Sequence, residues 1–392
     1  MNNLLRAMSR MTLPAPPLSR LQTSFASATL LILLLMSVSG HAAEPIVVGQ
    51  SAALTGPANL LGTEMARGMN AYFNQVNSHG GVNGHTIKLV TLDDGYEPAR
   101  TIQNTKTLIS EDKAVALVGY VGTPTSVAVL PIVKAAGLPF IGAYTGAEVL
   151  RDGKNDNVFN IRASYNDEAL RIAKEIDGMG LRTMGIVYQK DAFGDAGLNA
   201  MKAALAKYPD MKVVWSETVE RNSVDVAAAV AKIAAGHVDS VYIVSAYKTE
   251  SAVITQARGA GYVGLFTTLS FVGTEPLAQL AGTAARGVVV PAVMPSPHSE
   301  PIALSADYRR AVSAGVANPT YSYASMEGYV AARVFVEAIK RITGKITAEA
   351  ISNAMRGMRL DMGGFVVDFS QSNNASKWVE TTVIGAGGKI SR

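Results

Sequence analysis

The sequence predicts an α/β protein of two lobes, each a doubly wound parallel sheet with helices on both faces. Strand-length apolar runs alternate with segments of helical period along most of the chain, the pattern of βαβ units. The apolar runs are continuous rather than alternating, as expected of strands buried on both faces. The chain has 392 residues; less an N-terminal leader of 43 it keeps 349, more than one ordinary domain.

The elements follow in order. Residues 46–51 form an apolar run of strand length, broken by Gly56-Pro57. Met65, Met69, Tyr72, Phe73 and Val76 then recur at i, i+4, i+7, i+8 and i+11, one face of a helix. The turn cluster His79-Gly-Gly-Val-Asn-Gly84 closes it. Strands at 86–92, 114–118 and 138–141 alternate with helices at 98–110 and 124–136. Residues 151–157 are a polar loop. The rhythm resumes with helices at 167–178, 195–207, 224–235 and 249–260, each leading to a strand, at 183–188, 212–215, 240–244 and 265–268. A last strand is expected at 287–290. Pro291, Pro295, Pro297 and Pro301 mark an extended crossing. Mostly helices follow, the longest at 323–342 with Met326, Val330, Val334 and Ala338 on one stripe. Short strand signals at 364–369 and 379–384 end the chain, and no repeat of fixed period occurs.

The first 43 residues read as a secretory signal peptide. Arg6, Arg10 and Arg20 precede the apolar run 28–36, and the small-residue exit Ser-Gly-His-Ala-Ala follows. About 10 strongly apolar residues are too few to span a bilayer, which takes ~20. A membrane anchor is the other reading of the segment. Cleavage after Ala42 fits best, because Gly40 and Ala42 then hold the two small-residue positions. No stable membrane insertion is expected once it is removed.

Composition narrows the function. Of 35 basic residues three lie in the leader, leaving 32 against 31 acidic ones. No basic cluster suits a nucleic acid. There is no cysteine. Disulfides, thiolate catalysis, cysteine-based zinc sites and a lipid-modified N-terminal cysteine are therefore excluded. An exported protein without a lipid anchor needs a second membrane to retain it, which favours a Gram-negative periplasm.

Ligands of doubly wound sheets sit at the carboxyl ends of the strands. The loop after 118 reads Gly119-Tyr-Val-Gly-Thr-Pro-Thr-Ser126. Its hydroxyls stand where a helix begins, an arrangement suited to a carboxylate; plain N-capping is the alternative. Gly142-Ala-Tyr-Thr-Gly146 has the same character, with Ala143, Tyr144 and Thr145 as candidates. In the second half the corresponding loops are 189–194, 245–248 and 269–272, bearing Phe193, Tyr247 and Ser270. Either aromatic taken alone also reads as core filler. No His-Glu-x-x-His, Gly-x-Ser-x-Gly or phosphate-loop motif occurs, and no histidine lies in a strand-end loop with a partner. Asp93-Asp94 and Asp191 with Asp195 read as turn and cap residues. No catalytic residue, metal site or cofactor is expected.

The leader, Val48-Gly-Gln-Ser-Ala-Ala-Leu-Thr-Gly-Pro57, Gly80-Gly-Val-Asn-Gly84, Asp93-Asp94 with Pro98, the loop 119–126 and Asp191-Ala-Phe-Gly194 together resemble the leucine/isoleucine/valine-type periplasmic binding proteins of ABC importers. The resemblance covers essentially the whole mature chain. It implies the type I periplasmic binding protein fold, two lobes joined by a three-segment hinge. The lobes are expected to take residues 44–163 with 293–360 and residues 164–292 with 361–392, with crossings near 160–165, 291–297 and 358–364. The resemblance further implies a carboxylate cradle from Thr123, Ala143 and Thr145. Leu61 falls where the family packs an aromatic on the ligand, and Phe193 and Tyr247 match the aromatics of the far lobe. The family's amino-acid binders carry an acid after the strand at 265–268; Leu269-Ser270-Phe271 has none there. The family's early disulfide is also missing, with Tyr96 and Gly122 at its positions. The expected function is a monomeric periplasmic solute receptor that hands a small carboxylate-bearing ligand to the membrane permease of an ABC importer. The ligand is a branched aliphatic or aromatic acid, or an amino acid. A sensing module feeding a membrane chemoreceptor or kinase is the alternative.

Overall fold

The computed structural model describes residues 43–298 and 301–392. The expected leader lies outside them, apart from Ala43. No helix among the described residues is long and apolar enough to cross a membrane.

The first part of the chain alternates as its pattern predicts. The order is β1 (Ala43–Ala52), α1 (Asn59–Ser78), β2 (His85–Asp93), α2 (Pro98–Ser110), β3 (Ala116–Val118), α3 (Thr123–Ala136), β4 (Phe140–Ile141) and β5 (Val158–Phe159). These strands make one sheet in the order β2-β1-β3-β4-β5. The pairs β1–β3, β3–β4 and β4–β5 are parallel. Strands β3, β4 and β5 are wholly buried, so an unbroken apolar run is the only sequence that lets them exist there.

The second alternation gives α4 (Tyr165–Gly178), β6 (Thr183–Gln189), α5 (Ala192–Leu205), β7 (Lys212–Val219), α6 (Ala227–Gly236), β8 (Ser240–Val244), α7 (Tyr247–Gly259), β9 (Leu265–Thr268), α8 (Thr274–Ala281) and β10 (Val289–Ala292). Helix α4 starts at a reciprocal capping box between Ser164 and Asp167. The chain ends with α9 (Ala303–Ser313), α10 (Tyr323–Ile339), α11 (Ala348–Met355), β11 (Arg359–Asp361), β12 (Val366–Asp368), β13 (Glu380–Ile384) and β14 (Ile390–Ser391). The second sheet runs β14-β13-β10-β9-β8-β6-β7. It is parallel from β7 to β10, but β13 pairs antiparallel with β10 and β14 with β13. The returning chain enters from outside any βαβ unit, so nothing enforces a parallel crossover at that edge.

Helix α10 belongs to the first sheet's side because it lies directly on α1. A Cβ at Gly68 would stand 1.8 Å from the Ser325 carbonyl oxygen, and one at Gly328 would stand 2.1 Å from that of Met65. Only hydrogen side chains let the two backbones approach this closely. The predicted stripe Met326, Val330, Val334 and Ala338 is fully buried.

The hairpin β11–β12 also stays with the first sheet. Phe369 meets Phe159 edge to face at 5.6 Å, and the Ala375 amide donates to the Asn160 carbonyl at 2.8 Å. The chain's last passage to the second sheet therefore lies between Ala375 and Glu380, beyond the expected stretch 358–364. The apolar residues 365–369 read alike as a strand of either sheet. The partners in β5, distant in sequence, decide which.

Candidate functional site

Two strand-end loops of the first sheet meet because β3 and β4 are neighbours. Their pairing runs on past the strands: Tyr144 donates its amide to the Tyr120 carbonyl at 2.7 Å, and Gly122 donates to the Tyr144 carbonyl at 3.2 Å. This register sets the hydroxyls of Thr123 and Thr145 2.7 Å apart. The Thr145 hydroxyl reaches the Tyr165 hydroxyl at 3.2 Å. All three residues are buried. Thr123 opens α3 behind Gly122, and a helix start leaves its first backbone N–H groups without intrahelical partners. Of the other hydroxyls, Thr125 bonds back to the carbonyls of Val121 and Gly122 and is a turn residue. Ser126 Oγ is buried with no hydrogen-bond partner among the described residues.

The second sheet presents aromatics opposite. Asp191 caps α5 by accepting from the Phe193 amide at 2.9 Å, which turns Phe193 inward. The Phe193 ring lies 4.4 Å from Phe271 and 5.6 Å from Tyr165. Phe271 in turn meets Tyr144 at 5.6 Å and Tyr96 at 5.9 Å. Of this cluster only Phe193 and Tyr144 were expected as site residues. Tyr96 and Phe271 lie between the regular elements and Tyr165 opens α4, positions whose aromatics carry no periodic signal.

The other predicted residues scatter around this centre. Leu61, in the first turn of α1, packs on Gly273, whose added Cβ would stand 2.7 Å from its Cδ2. Ala143 is buried, and its carbonyl accepts from the Thr145 amide at 2.8 Å. Tyr247 spans the gap between the sheets. Its hydroxyl donates to Asn59 Oδ1 at 2.8 Å and accepts from the Leu60 amide at 3.3 Å. Other bonds cross the same gap: Arg221 to Glu97 at 2.8 Å, Asn222 to the Gly95 carbonyl at 3.0 Å, and Gln189 to the Tyr96 hydroxyl at 3.4 Å. The structure is thus a closed one.

Ser270 meets an acid that its own loop does not supply. Glu168 of α4 accepts from the Ser270 amide at 2.8 Å and from its hydroxyl at 2.9 Å. Arg162 donates to that same hydroxyl and pairs with Glu168 at 3.3 Å and with Glu327 of α10 at 3.6 Å. Its guanidinium stands 4.8 Å over the Tyr144 ring. Burial raises the Glu168 and Glu327 carboxyls, Glu327 to about 7, against the lowering effect of Arg162. The acid comes from 102 residues away, which no local motif foretells. The one signal was Arg162 itself, a charge in the apolar stretch Phe159-Asn-Ile-Arg-Ala163.

The arrangement can grip a carboxylate by neutral donors and enclose an apolar body. Asp93 and Asp94 are occupied as turn acceptors, from the amides of Leu54, Thr55 and Gly95 and from that of Tyr96. No group of three His, Cys, Asp or Glu among the described residues is placed to hold a metal ion.

A family model described as periplasmic binding protein matches residues 45–378. The chain belongs to that family. Its members are solute-binding receptors, and this one is of the leucine/isoleucine/valine-binding type. An amino acid binding protein of Pseudomonas aeruginosa is 28% identical over 250 residues, 63% of this chain and 66% of that one. A solved structure from Rhodopirellula baltica, titled "a possible leucine/isoleucine/valine-binding protein", has a TM-score of 0.86 at 32% identity and covers 91% of this chain and 98% of that one. A substrate-binding periplasmic protein from Ralstonia solanacearum has a TM-score of 0.84 at 30% identity, covering 88% of this chain and 99% of that one. The binding-protein fold thus extends over nearly the whole of the described chain.

Proposed function

We propose that this protein is a periplasmic solute receptor that closes on a small carboxylate-bearing ligand and delivers it, as a monomer, to the membrane permease of an ABC importer. The pair of buried hydroxyls from the start of α3 and the loop after β4 carries the reading. Thr123 and Thr145 lie 2.7 Å apart on one lobe, and the rings of Phe193 and Phe271 come from the other. In this reading the first lobe comprises residues 44–163 and 293–375, the second 164–292 and 376–392. The ligand is a branched aliphatic or aromatic acid in preference to an amino acid. A buried ammonium needs a charged or multiple hydrogen-bonding partner. The Glu168 carboxylate near the cleft is already held by Ser270 and Arg162.

A thermal-shift screen over organic acids and amino acids, followed by calorimetric titration, tests this. Ligand at 100 times its dissociation constant adds ~2.7 kcal/mol of stability. Acids lacking an ammonium should bind and leucine should not. Micromolar leucine binding with no response to the acids overturns the ligand class.

A further inference from the structure

Beside Tyr144 lies a small cavity of about 10 Å³, lined by Tyr144, Ser270, Thr274, Tyr323 and Glu327 among others. That is about the space of one water molecule. Glu327, which lines it, has an Oε1 with no hydrogen-bond partner among the described residues, and so have Nε and Nη1 of Arg162, whose guanidinium lies over the Tyr144 ring. Both side chains are almost wholly buried, at 1% and 3% exposure. The 3.6 Å between Arg162 Nη1 and Glu327 Oε2 is an ion pair but exceeds hydrogen-bond length. Buried donors and acceptors left unmade cost stability, and a native fold that keeps them invites a reason.

We propose that Arg162 and Glu327 form a polar subsite of the interlobe cleft that takes an uncharged hydroxyl on the ligand. The inference rests on the carboxylate-receptor reading above and adds the ligand's second polar group. The Tyr144 ring connects the two regions, 5.6 Å from Phe271 on one side and 4.8 Å from Arg162 on the other. The charge balance selects the hydroxyl. Arg162 is answered by Glu168 and Glu327, with Arg151, Tyr144 and Tyr165 also facing the group. A second anion on the ligand would meet the two carboxylates, and a cation would meet the two guanidinium groups. A hydroxyl accepts one hydrogen bond and donates one. It can take the unused N–H of Arg162 and give its proton to Oε1 of Glu327, satisfying both sides at once.

The test is calorimetric titration of the mature protein with benzoate, the three monohydroxybenzoates and leucine, and of the Glu327→Leu variant with the same five. At least one hydroxybenzoate should bind 10-fold or more tightly than benzoate. That advantage should shrink below 3-fold in Glu327→Leu while benzoate affinity holds. Benzoate binding with no hydroxylated form exceeding it in the unmutated protein overturns the subsite alone, whether or not the variant folds. An advantage undiminished in a folded Glu327→Leu also overturns it. Silence of all four aromatic acids excludes the aromatic branch of the carboxylate reading and overturns the subsite with it, and leucine binding in that case shows which class replaces it.

Discussion

The ring of Tyr96 occupies the space that a side chain on Gly122 would fill: a Cβ there would stand 2.2 Å from Tyr96 Cε2. These are the two positions at which the resemblance implied a missing disulfide, and the structure brings them together. A packed ring thus ties the turn after β2 to the start of α3 without a covalent bond. Both residues carry positive φ, 64° at Tyr96 and 102° at Gly122, so the contact is held with backbone that side chains rarely adopt.

Gly122→Ala should therefore cost more than its backbone alone. A strained residue of this kind costs about 1–3 kcal/mol, and the ring must move besides. Gly137→Ala is the comparison: its φ is 63°, but a Cβ there meets nothing within 4 Å. Urea denaturation of both variants should show the larger loss for Gly122→Ala. Equal losses would mean the ring yields freely.

Thr123→Val keeps shape and removes the hydroxyl that lies 2.7 Å from Thr145. Thr145 retains Tyr165 as a partner, so the fold should be little disturbed. A hydrogen bond to a charged ligand group contributes ~1.5–3 kcal/mol. Ligand affinity should fall about 10-fold or more with the melting temperature nearly constant. A lower melting temperature with affinity intact would make Thr123 a helix cap only.

Tyr247→Phe isolates closure from packing. The ring stays, while the bonds to Asn59 and the Leu60 amide are lost. Neutral hydrogen bonds are worth about 1 kcal/mol each, so affinity should drop several-fold. The ligand-free protein should expand toward an open form, because lobe closure is a hinge equilibrium that contacts in either state bias. Small-angle scattering with and without ligand reads this directly. A radius of gyration unaltered by mutation and by ligand would show a preformed cleft.

Stability should fall as pH rises from about 4.5 toward 7 through Glu327. Burial raises this carboxyl from 4.5 to about 7, so the native state holds a proton that the unfolded chain has released in that window. Each unit is worth 1.36 kcal/mol, so the loss is at most about 3.4 kcal/mol. It is complete above the native value. Buried Glu168 and Glu250 shift the same way and add to the slope. Glu327→Gln should flatten the dependence of melting temperature on pH between 4.5 and 7 relative to the unmutated protein. An identical slope in the variant would show that Glu327 does not titrate there.

The repeated strands and helices were legible because each is a local event. A buried parallel strand needs an unbroken apolar run, a helix needs its period and its cap, and both are written within a dozen residues. Most expected elements accordingly stand within a few residues of their predicted limits, the 98–110 helix with both limits as predicted. The hydroxyl loops at 119–126 and 142–146 were legible for a related reason. Each directly follows an apolar run of strand length, β3 and β4 in the structure.

What the sequence by itself determined was therefore the class of fold, the order of its elements and the loops that follow its strands. Tertiary structure alone decided which distant groups meet there. Glu168 reaches Ser270 and Arg162 reaches Glu327 because a crossing, a helix start and the long helix α10 converge at one point. Likewise Phe369 lies on Phe159, so the last passage between lobes comes later than local polarity implied. Local patterns record what each segment buries. They carry no term for its partner, and the partner fixes the charge of the cleft and the path of the hinge.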